Sequence, residues 1–160
     1  MRNNATASLL ILFALGLGVV ACDDDDPVAG DDEEFAATLG PEGSVQTDAT
    51  GSATFVLDDG VVSYTIDVDD ITAVTAAHIH GPAGPGEDAG VIVGLFAGPV
   101  GGTGAVSGRL VTDDFVEADI SATNVSLDSL LVLMRSGQSY VNVHTVENPA
   151  GEIRGQITVQ

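Results

Sequence analysis

The chain contains three histidines, which lie in two short segments and are the residues best suited to chemistry. His78 and His80 are two residues apart, and His144 lies in the segment 140–145. Residues two apart in a β-strand project from the same face, so His78 and His80 would share one. If the strand of His144 lies beside theirs, three imidazoles converge as in an open tetrahedral site for zinc or copper, with water as the fourth ligand.

A purely structural role for the same residues is the simpler expectation. Histidines from different strands converge under only one arrangement of strand pairing. Otherwise the imidazoles and the Asn142 amide would hydrogen-bond backbone groups of the Gly- and Pro-rich loops and hold two connections in place. Asn142 shares a strand face with His144, so both interpretations place it beside a histidine. The sequence leaves metal binding and loop anchoring as alternatives.

The residues after His144 predict a tight turn followed by a returning strand. The segment 148–151, Asn-Pro-Ala-Gly, has Pro and Gly at the positions that such a turn requires. Glu152 and Arg154 share one face of the next strand, and we expect an ion pair between them or with a neighbouring side chain. Asn148, Glu152 and Arg154 are therefore predicted to hold this motif together.

Apolar and polar residues alternate along much of the chain after Phe35, which predicts β-strands. Residues 58–60, Asp-Asp-Gly, separate two such runs, 53–57 and 62–68, and predict a hairpin. Gly- and Pro-rich turns separate the other candidates. Many short strands of this kind indicate an all-β fold, an antiparallel Greek-key-like β-sandwich. The further predicted strands are 72–80, 91–97, 105–111, 115–120, 140–145 and 152–159.

One segment shows the periodicity of a helix instead. Ser126 precedes it as a helix cap, and Gly137 follows it as a stop signal. We expect a short helix whose apolar stripe covers the core of the sandwich. The residues of the stripe recur at intervals of three and four, and they are Leu127, Leu130, Leu131 and Met134.

The composition excludes several classes of function. The chain of 160 residues has four arginines and no lysine against 24 carboxylates, a formal net charge of −20. Phosphate binding requires clustered Lys or Arg, so we expect no nucleic-acid partner. The sequence also lacks a Gly-x-Ser-x-Gly motif, a phosphate-binding glycine loop and a cysteine nucleophile in the folded region. We expect a protein that is not an enzyme.

The N-terminal residues are typical of a secretion signal. Arg2 precedes an apolar run at 9–15, which is too short to span a bilayer comfortably. The segment 19–22, Val-Val-Ala-Cys, resembles the lipobox of bacterial lipoproteins, in which the cysteine becomes the lipidated N-terminus. We expect residues 1–21 to be a signal peptide and Cys22 to anchor the protein in a membrane of the bacterial cell envelope, facing the periplasm or the exterior.

The residues that follow the anchor are strongly acidic. Residues 22–34 contain many Asp and Glu and few apolar groups, so we expect an extended, lipidated linker. About 125 residues remain, which suits one compact domain, 35–160. Cys22 is the only cysteine, so we expect no disulfide within that domain.

Several motifs of the domain together resemble the chordin-type (CHRD) domain. The segment 40–43, Gly-Pro-Glu-Gly, departs from the Gln-Glu-Val-Pro-like segment that is usual in this family. The resemblance implies a β-rich extracellular module, found in animal chordins that bind secreted growth factors and in many bacterial envelope proteins. The motifs that carry it are 35–39, 50–55, 77–83 and 140–145, followed by Asn148-Pro149 and 151–155.

The resemblance favours an envelope-anchored, non-enzymatic binding module whose partner is an extracellular protein or a glycan, and which needs no cofactor. The alternative is a copper- or zinc-binding protein that uses His78, His80 and His144. The His-x-His strand and the later histidine are similar to the copper ligands of copper/zinc superoxide dismutases. Three histidines cannot supply a two-metal site, so we expect no dismutase activity.

Overall fold

The computed structural model describes residues 32–160, except for the side chains of residues 100–104. The predicted signal peptide (1–21), the predicted lipidation site Cys22 and most of the acidic linker lie outside the described residues. The described part confirms the predicted all-β antiparallel fold with one short α-helix, in the form of a barrel-like sandwich. Its strands are β1 (Glu33–Pro41), β2 (Thr50–Asp58), β3 (Val61–His80), β4 (Val91–Phe115), β5 (Tyr140–Thr145), β6 (Ile153–Gln156) and β7 (Thr158–Val159). Its helices are a 3₁₀-helix, Glu117–Asp119, and α1 (Leu127–Arg135).

The strands form one barrel-like sheet because the pairing closes on itself. Hydrogen-bonded neighbours follow the order β2-β1-β6-β5-β3-β4, and β2 also pairs with β3. The first half of β3, Val61 to Asp69, pairs with β2, and its second half, Val74 to His80, pairs with β5. β4 pairs along the other edge of β3. Segments far apart in sequence, β3 and β5, consequently lie side by side.

Two long strands replace several shorter predicted ones. The predicted strands 62–68 and 72–80 are continuous in β3, and 91–97 and 105–111 are continuous in β4. Register shifts between β3 and β4 accommodate the residues that separate these runs. The turn signals here therefore mark bulges, at which the strands bend without ending.

The prediction of a strand at 115–120 is wrong beyond Phe115, where β4 ends. The Asp119 carboxylate accepts a hydrogen bond from the Val116 N–H at 3.0 Å, which starts the 3₁₀-helix and ends the strand. Ile120 keeps only an isolated bridge to β4. The predicted strand 152–159 is divided into β6 and β7, with Ile157 between them. β6 pairs with β1 and β5, and β7 pairs with a different part of β1.

The predicted hairpin between β2 and β3 is confirmed. Asp58 pairs with Val61, so Asp59 and Gly60 form a two-residue turn. Both turn residues have positive φ, 43° and 82°. Asp-Gly favours this turn because its twist matches that of the two flanking strands.

β1 begins at Glu33, within the acidic run that the sequence assigns to the linker. Glu33 and Glu34 pair with Leu57 and Val56 of β2. Glu33 also accepts hydrogen bonds from the Arg135 guanidinium at the end of α1. These bonds hold the pKa of the Glu33 carboxyl below its usual value. The last acidic residues of the run are thus part of the sheet.

Helix α1 covers the core as expected. Ser126 accepts a hydrogen bond from the Ser129 N–H and so caps its start. At its end, Gly137 has a positive φ of 66°, and the Gln138 N–H bonds to the Leu133 carbonyl at 2.8 Å. No helix among the described residues is long and apolar enough to cross a membrane. The buried side chains of α1 are those of the predicted stripe, Leu127, Leu130, Leu131 and Met134.

Strands β3, β5 and β6 present an apolar and a polar side at one end of the sheet. The core side consists of residues without exposed surface, namely Ala77, Ile79, Val141, Val143 and Ile153. The alternate residues form a surface that we call the polar face: His78, His80, Tyr140, Asn142, His144, Arg154 and Gln156. Two loops, 81–90 and 146–151, form hydrogen bonds with side chains of the polar face. Every residue of β5 is buried.

Candidate metal centre

The pairing of β3 with β5 brings the three histidines together. His78 lies opposite Asn142 and His80 opposite Tyr140, which places His144 diagonally across from His78 on the polar face. The nitrogen atoms that the three imidazoles offer all lie within 4.8 Å of one another. His80 is 7% exposed and His144 9%, whereas His78 is half-buried. The one strand arrangement that allows convergence is therefore the arrangement that forms.

His78 and His144 are in direct contact. Nδ1 of His78 lies 3.0 Å from Nε2 of His144. Two nitrogen ligands that each lie about 2.0–2.1 Å from a tetrahedral zinc ion are about 3.3 Å apart. The ring centroid of His80 lies 5.6 Å from that of His78 and 5.9 Å from that of His144, so the third imidazole flanks the pair. The spacing of the His78–His144 pair is close to that of two ligands of one ion, and the third imidazole lies beside them.

A loop carbonyl fixes the orientation of His80. Its Nδ1 lies 3.0 Å from the carbonyl oxygen of Ala89. Because a carbonyl oxygen only accepts, Nδ1 carries the proton and Nε2 carries a lone pair. That Nε2 atom is buried and has no hydrogen-bond partner among the described residues. Histidines that bind a metal through one ring nitrogen usually donate a hydrogen bond from the other ring N–H to a carbonyl or carboxylate oxygen, as His80 does here.

The turn after β5 holds His144 in the same manner. Nδ1 of His144 lies 3.0 Å from the Pro149 carbonyl oxygen, so Nε2 again carries the lone pair. Asn142 donates from Nδ2 to the Ala150 carbonyl at 3.1 Å. The loop anchoring expected from the sequence is thus present. It leaves the metal-binding alternative open, because these bonds use Nδ1 and not Nε2.

Both histidines of β3 are held in the neutral form. Burial is the main cause, and together with the nearby His144 and His80 it lowers the pKa of His78 to about 4. Burial also lowers the pKa of His80, against the opposing effect of its hydrogen bond to Ala89. Since only a neutral imidazole has a lone pair for a metal, neither residue must lose a proton to bind one at neutral pH.

Tyr140 and Arg154 extend the site beyond His80. The Tyr140 ring stacks on His80, with centroids 5.0 Å apart and planes 7° from parallel. The Arg154 guanidinium carbon lies 3.4 Å from the centre of the Tyr140 ring. Arg154 also donates a hydrogen bond to the Glu42 carboxylate at 3.2 Å. The ion pair expected for Arg154 therefore forms with a neighbour, Glu42, and not with Glu152.

Glu152 lies in a hydrogen-bonded cluster separate from the histidines. Its carboxylate accepts bonds from Thr145 Oγ1 at 2.6 Å, Thr47 Oγ1 at 2.8 Å and Asn148 Nδ2 at 3.2 Å. Burial raises the pKa of the Glu152 carboxyl, but these three bonds outweigh it, and the pKa lies below its usual value. Glu152 and Asn148 thus hold the turn after β5 in place.

Two contributors to the site have no clear signal in the sequence. One is the backbone carbonyl of Ala89, which any residue type at that position would supply. The other is Glu42, which lies in the segment 40–43 that departs from the usual family pattern. Its pairing with Arg154 gives this segment a role. A cavity of about 580 Å³ opens between Glu42, Arg154, Tyr140 and His80.

One of three comparisons with known proteins assigns the chain to a family. The CHRD domain family matches residues 32–157, a range that includes the three histidines and Arg154. The searches of curated proteins and of solved structures give no match. The matched range covers most of the chain and contains every strand that contributes to the polar face. The chain therefore belongs to the CHRD domain family.

Proposed function

We propose that this protein is a lipid-anchored CHRD module that binds one copper or zinc ion through His78, His80 and His144. The observation that carries the proposal is the convergence of the three imidazoles, whose ligand atoms all lie within 4.8 Å of one another. Three protein ligands leave a fourth position for water or an added ligand, as in open zinc sites. The cavity of about 580 Å³ beside His80 gives such a ligand room to approach.

The hydrogen bonds around the histidines favour metal binding over a purely structural role. Buried polar atoms of structural residues are normally paired. Nε2 of His80 has no partner among the described residues, and the partner of Nε2 of His144 is another imidazole. A bound ion would accept both lone pairs. His78 would then carry its proton on Nε2 and offer Nδ1 to the ion.

The ligand set indicates the class of metal. The cluster consists of imidazoles without a carboxylate. Calcium and magnesium prefer oxygen ligands, whereas imidazole suits zinc and copper. Among divalent ions, copper binds a given nitrogen site more tightly than zinc. We therefore expect copper to displace zinc when both are offered in equal amounts.

The cellular position is inferred from the sequence. The lipobox-like segment 19–22 supports lipidation at Cys22, and the acidic residues 22–34 support a linker between the membrane and the domain. We infer a position in the bacterial cell envelope, facing the periplasm or the exterior. CHRD family membership suggests a binding or interaction module, and presentation to an extracellular protein or glycan is the alternative function if no metal binds.

Metal analysis of the purified protein tests the proposal. The full-length protein, extracted with detergent, exposed to copper or zinc and dialysed, should retain about one ion per chain. The variant His78→Ala/His80→Ala/His144→Ala should retain none. At free metal 100 times the dissociation constant, the ion should raise the free energy of unfolding by about 2.7 kcal/mol. Absence of copper and zinc, together with unchanged stability after chelation, would leave partner binding as the function.

A further inference from the structure

The loop 81–90 is bound to the polar face near its start. The Gly84 carbonyl accepts a hydrogen bond from Nη2 of Arg154 at 3.1 Å. The neighbouring Ala83 carbonyl accepts one from Nε2 of Gln156 at 3.0 Å. Both donors lie on β6, so this strand determines where the loop leaves the sheet.

The same loop ends at the ligand His80. The Ala89 N–H donates to the Tyr140 hydroxyl at 3.2 Å, and the Ala89 carbonyl lies 3.0 Å from Nδ1 of His80. Tyr140 thus contacts His80 twice, through the stacked ring and through Ala89. Movement of the loop or of the Tyr140 ring would take away the acceptor that orients His80.

Arg154 is held by partners on several sides. Its side chain is 8% exposed and lies 3.4 Å above the Tyr140 ring. It donates hydrogen bonds to the Glu42 carboxylate at 3.2 Å, to the Gly84 carbonyl at 3.1 Å and to Gln156 Oε1 at 3.1 Å. The exposed Asp88 carboxylate lies 3.7 Å from its Nη1. A planar guanidinium stacks and donates in several directions at once, which an ammonium group cannot do.

We propose that Arg154 is a positioning residue for the metal centre. It fixes the Tyr140 ring and the loop 81–90, and through both it sets the orientation of His80. The inference rests on the proposed metal binding and adds a determinant of its strength. Loss of groups that orient metal-ligating histidines typically weakens metal affinity by about 10–100-fold.

Variants of Arg154 and Tyr140, with one control, test the positioning role. Arg154→Met removes the donors of the guanidinium but keeps an apolar stem over Tyr140. Tyr140→Phe keeps the ring that stacks on His80 and removes the hydroxyl that binds Ala89. Arg109→Met is the control, because Arg109 is 56% exposed and pairs with Asp67 away from the polar face. The readouts are the zinc dissociation constant, by competition with a chelator, and the electron paramagnetic resonance spectrum of bound Cu(II).

Arg154→Met should raise the dissociation constant by about 10–100-fold and change the copper spectrum, because the ligand geometry around the ion relaxes. Tyr140→Phe should act in the same direction, and Arg109→Met should match the wild type. Arg154→Lys keeps the positive charge without the planar guanidinium, so its dissociation constant should lie between those of the wild type and of Arg154→Met.

Wild-type affinity and spectrum in both Arg154→Met and Tyr140→Phe would overturn the positioning role and leave metal binding intact. A wild-type protein that binds neither ion would instead overturn the proposed function as well. If Arg154→Met does not fold, Arg154→Lys decides, since it keeps the positive charge and loses the planar guanidinium. Wild-type affinity and spectrum in Arg154→Lys would then overturn the positioning role.

Discussion

Nδ1 of His78 lies 3.0 Å from Nε2 of His144, although the two residues are 66 positions apart in the chain. The contact exists because β3 and β5 are adjacent and pair in the register that sets Asn142 opposite His78. A slip of one residue would turn every side chain of β5 to the other face. Val143 would then enter the polar face, and His144 would face the core. The candidate metal centre is thus a property of this register.

His144→Ala should weaken metal binding much more than it weakens the fold. The substitution leaves two ligands on one strand, so we expect a loss of affinity of more than about 100-fold, beyond that for changes next to a ligand. The lost bond to the Pro149 carbonyl should cost the metal-free protein about 1 kcal/mol. Chelator competition and urea unfolding measure the two effects. Val146→Ala, at a site 69% exposed, is the control, and equal metal affinity in the two variants would argue against His144 as a ligand.

Glu152→Gln should destabilise the protein in a pH-dependent manner. Hydrogen bonds to a buried charge are worth about 1.5–3 kcal/mol, and we expect a loss of this order at pH 7. The pKa of Glu152 is lowered in the folded protein from its usual 4.5. Its ionised form therefore stabilises the fold above pH 4.5, and this contribution is lost as the pH falls through the lowered value.

Urea unfolding of the wild type and of Glu152→Gln at pH 7 and at pH 3 measures the effect. The difference between the two proteins should be smaller at pH 3. The exposed Glu147→Gln is the matched control and should change little at either pH. A difference that does not vary with pH would show that the Glu152 charge is not what stabilises the turn.

Gly155→Ala should destabilise the sheet beneath the polar face. A Cβ atom at this position would lie 2.2 Å from the Thr38 carbonyl oxygen of β1. Backbone atoms must then move apart, and overpacking of this kind costs about 1–3 kcal/mol. Gly40→Ala is the control, because its Cβ would meet nothing within 4 Å. Thermal unfolding should separate the two variants, and similar melting temperatures would contradict the close approach of β1 and β6.

Cys22→Ala should release the protein from the membrane. If Cys22 carries the lipid anchor, the wild type should sediment with the envelope, and the variant should not. Asp25→Ala, in the same acidic run, is the control and should remain bound. Immunoblots of fractionated cells measure the distribution. Wild-type protein that is soluble inside the cell with residues 1–21 still attached would be incompatible with the anchor.

The elements that depend on local patterns were predictable. The hairpin at Asp59-Gly60 forms because two adjacent residues supply the positive φ angles that the turn needs. Helix α1 forms where its stripe, its Ser126 cap and the Gly137 stop agree. The lengths of β3 and β4 were not predictable, because Gly and Asp signals for a turn are also those for a bulge. The partner strand decides which of the two occurs.

The sequence by itself determined that this is a β-rich CHRD domain, and that His78 and His80 share one face of a strand. The face from which a side chain projects follows from the two-residue period of an extended chain, and it does not depend on which strands lie beside it. Only the tertiary structure decided that β5 lies beside β3 in the register that adds His144, and that Ala89 and Pro149 supply the carbonyls that orient His80 and His144. Strand partners depend on burial over the whole sheet, and a backbone carbonyl is the same in every residue, so neither leaves a local trace in the sequence.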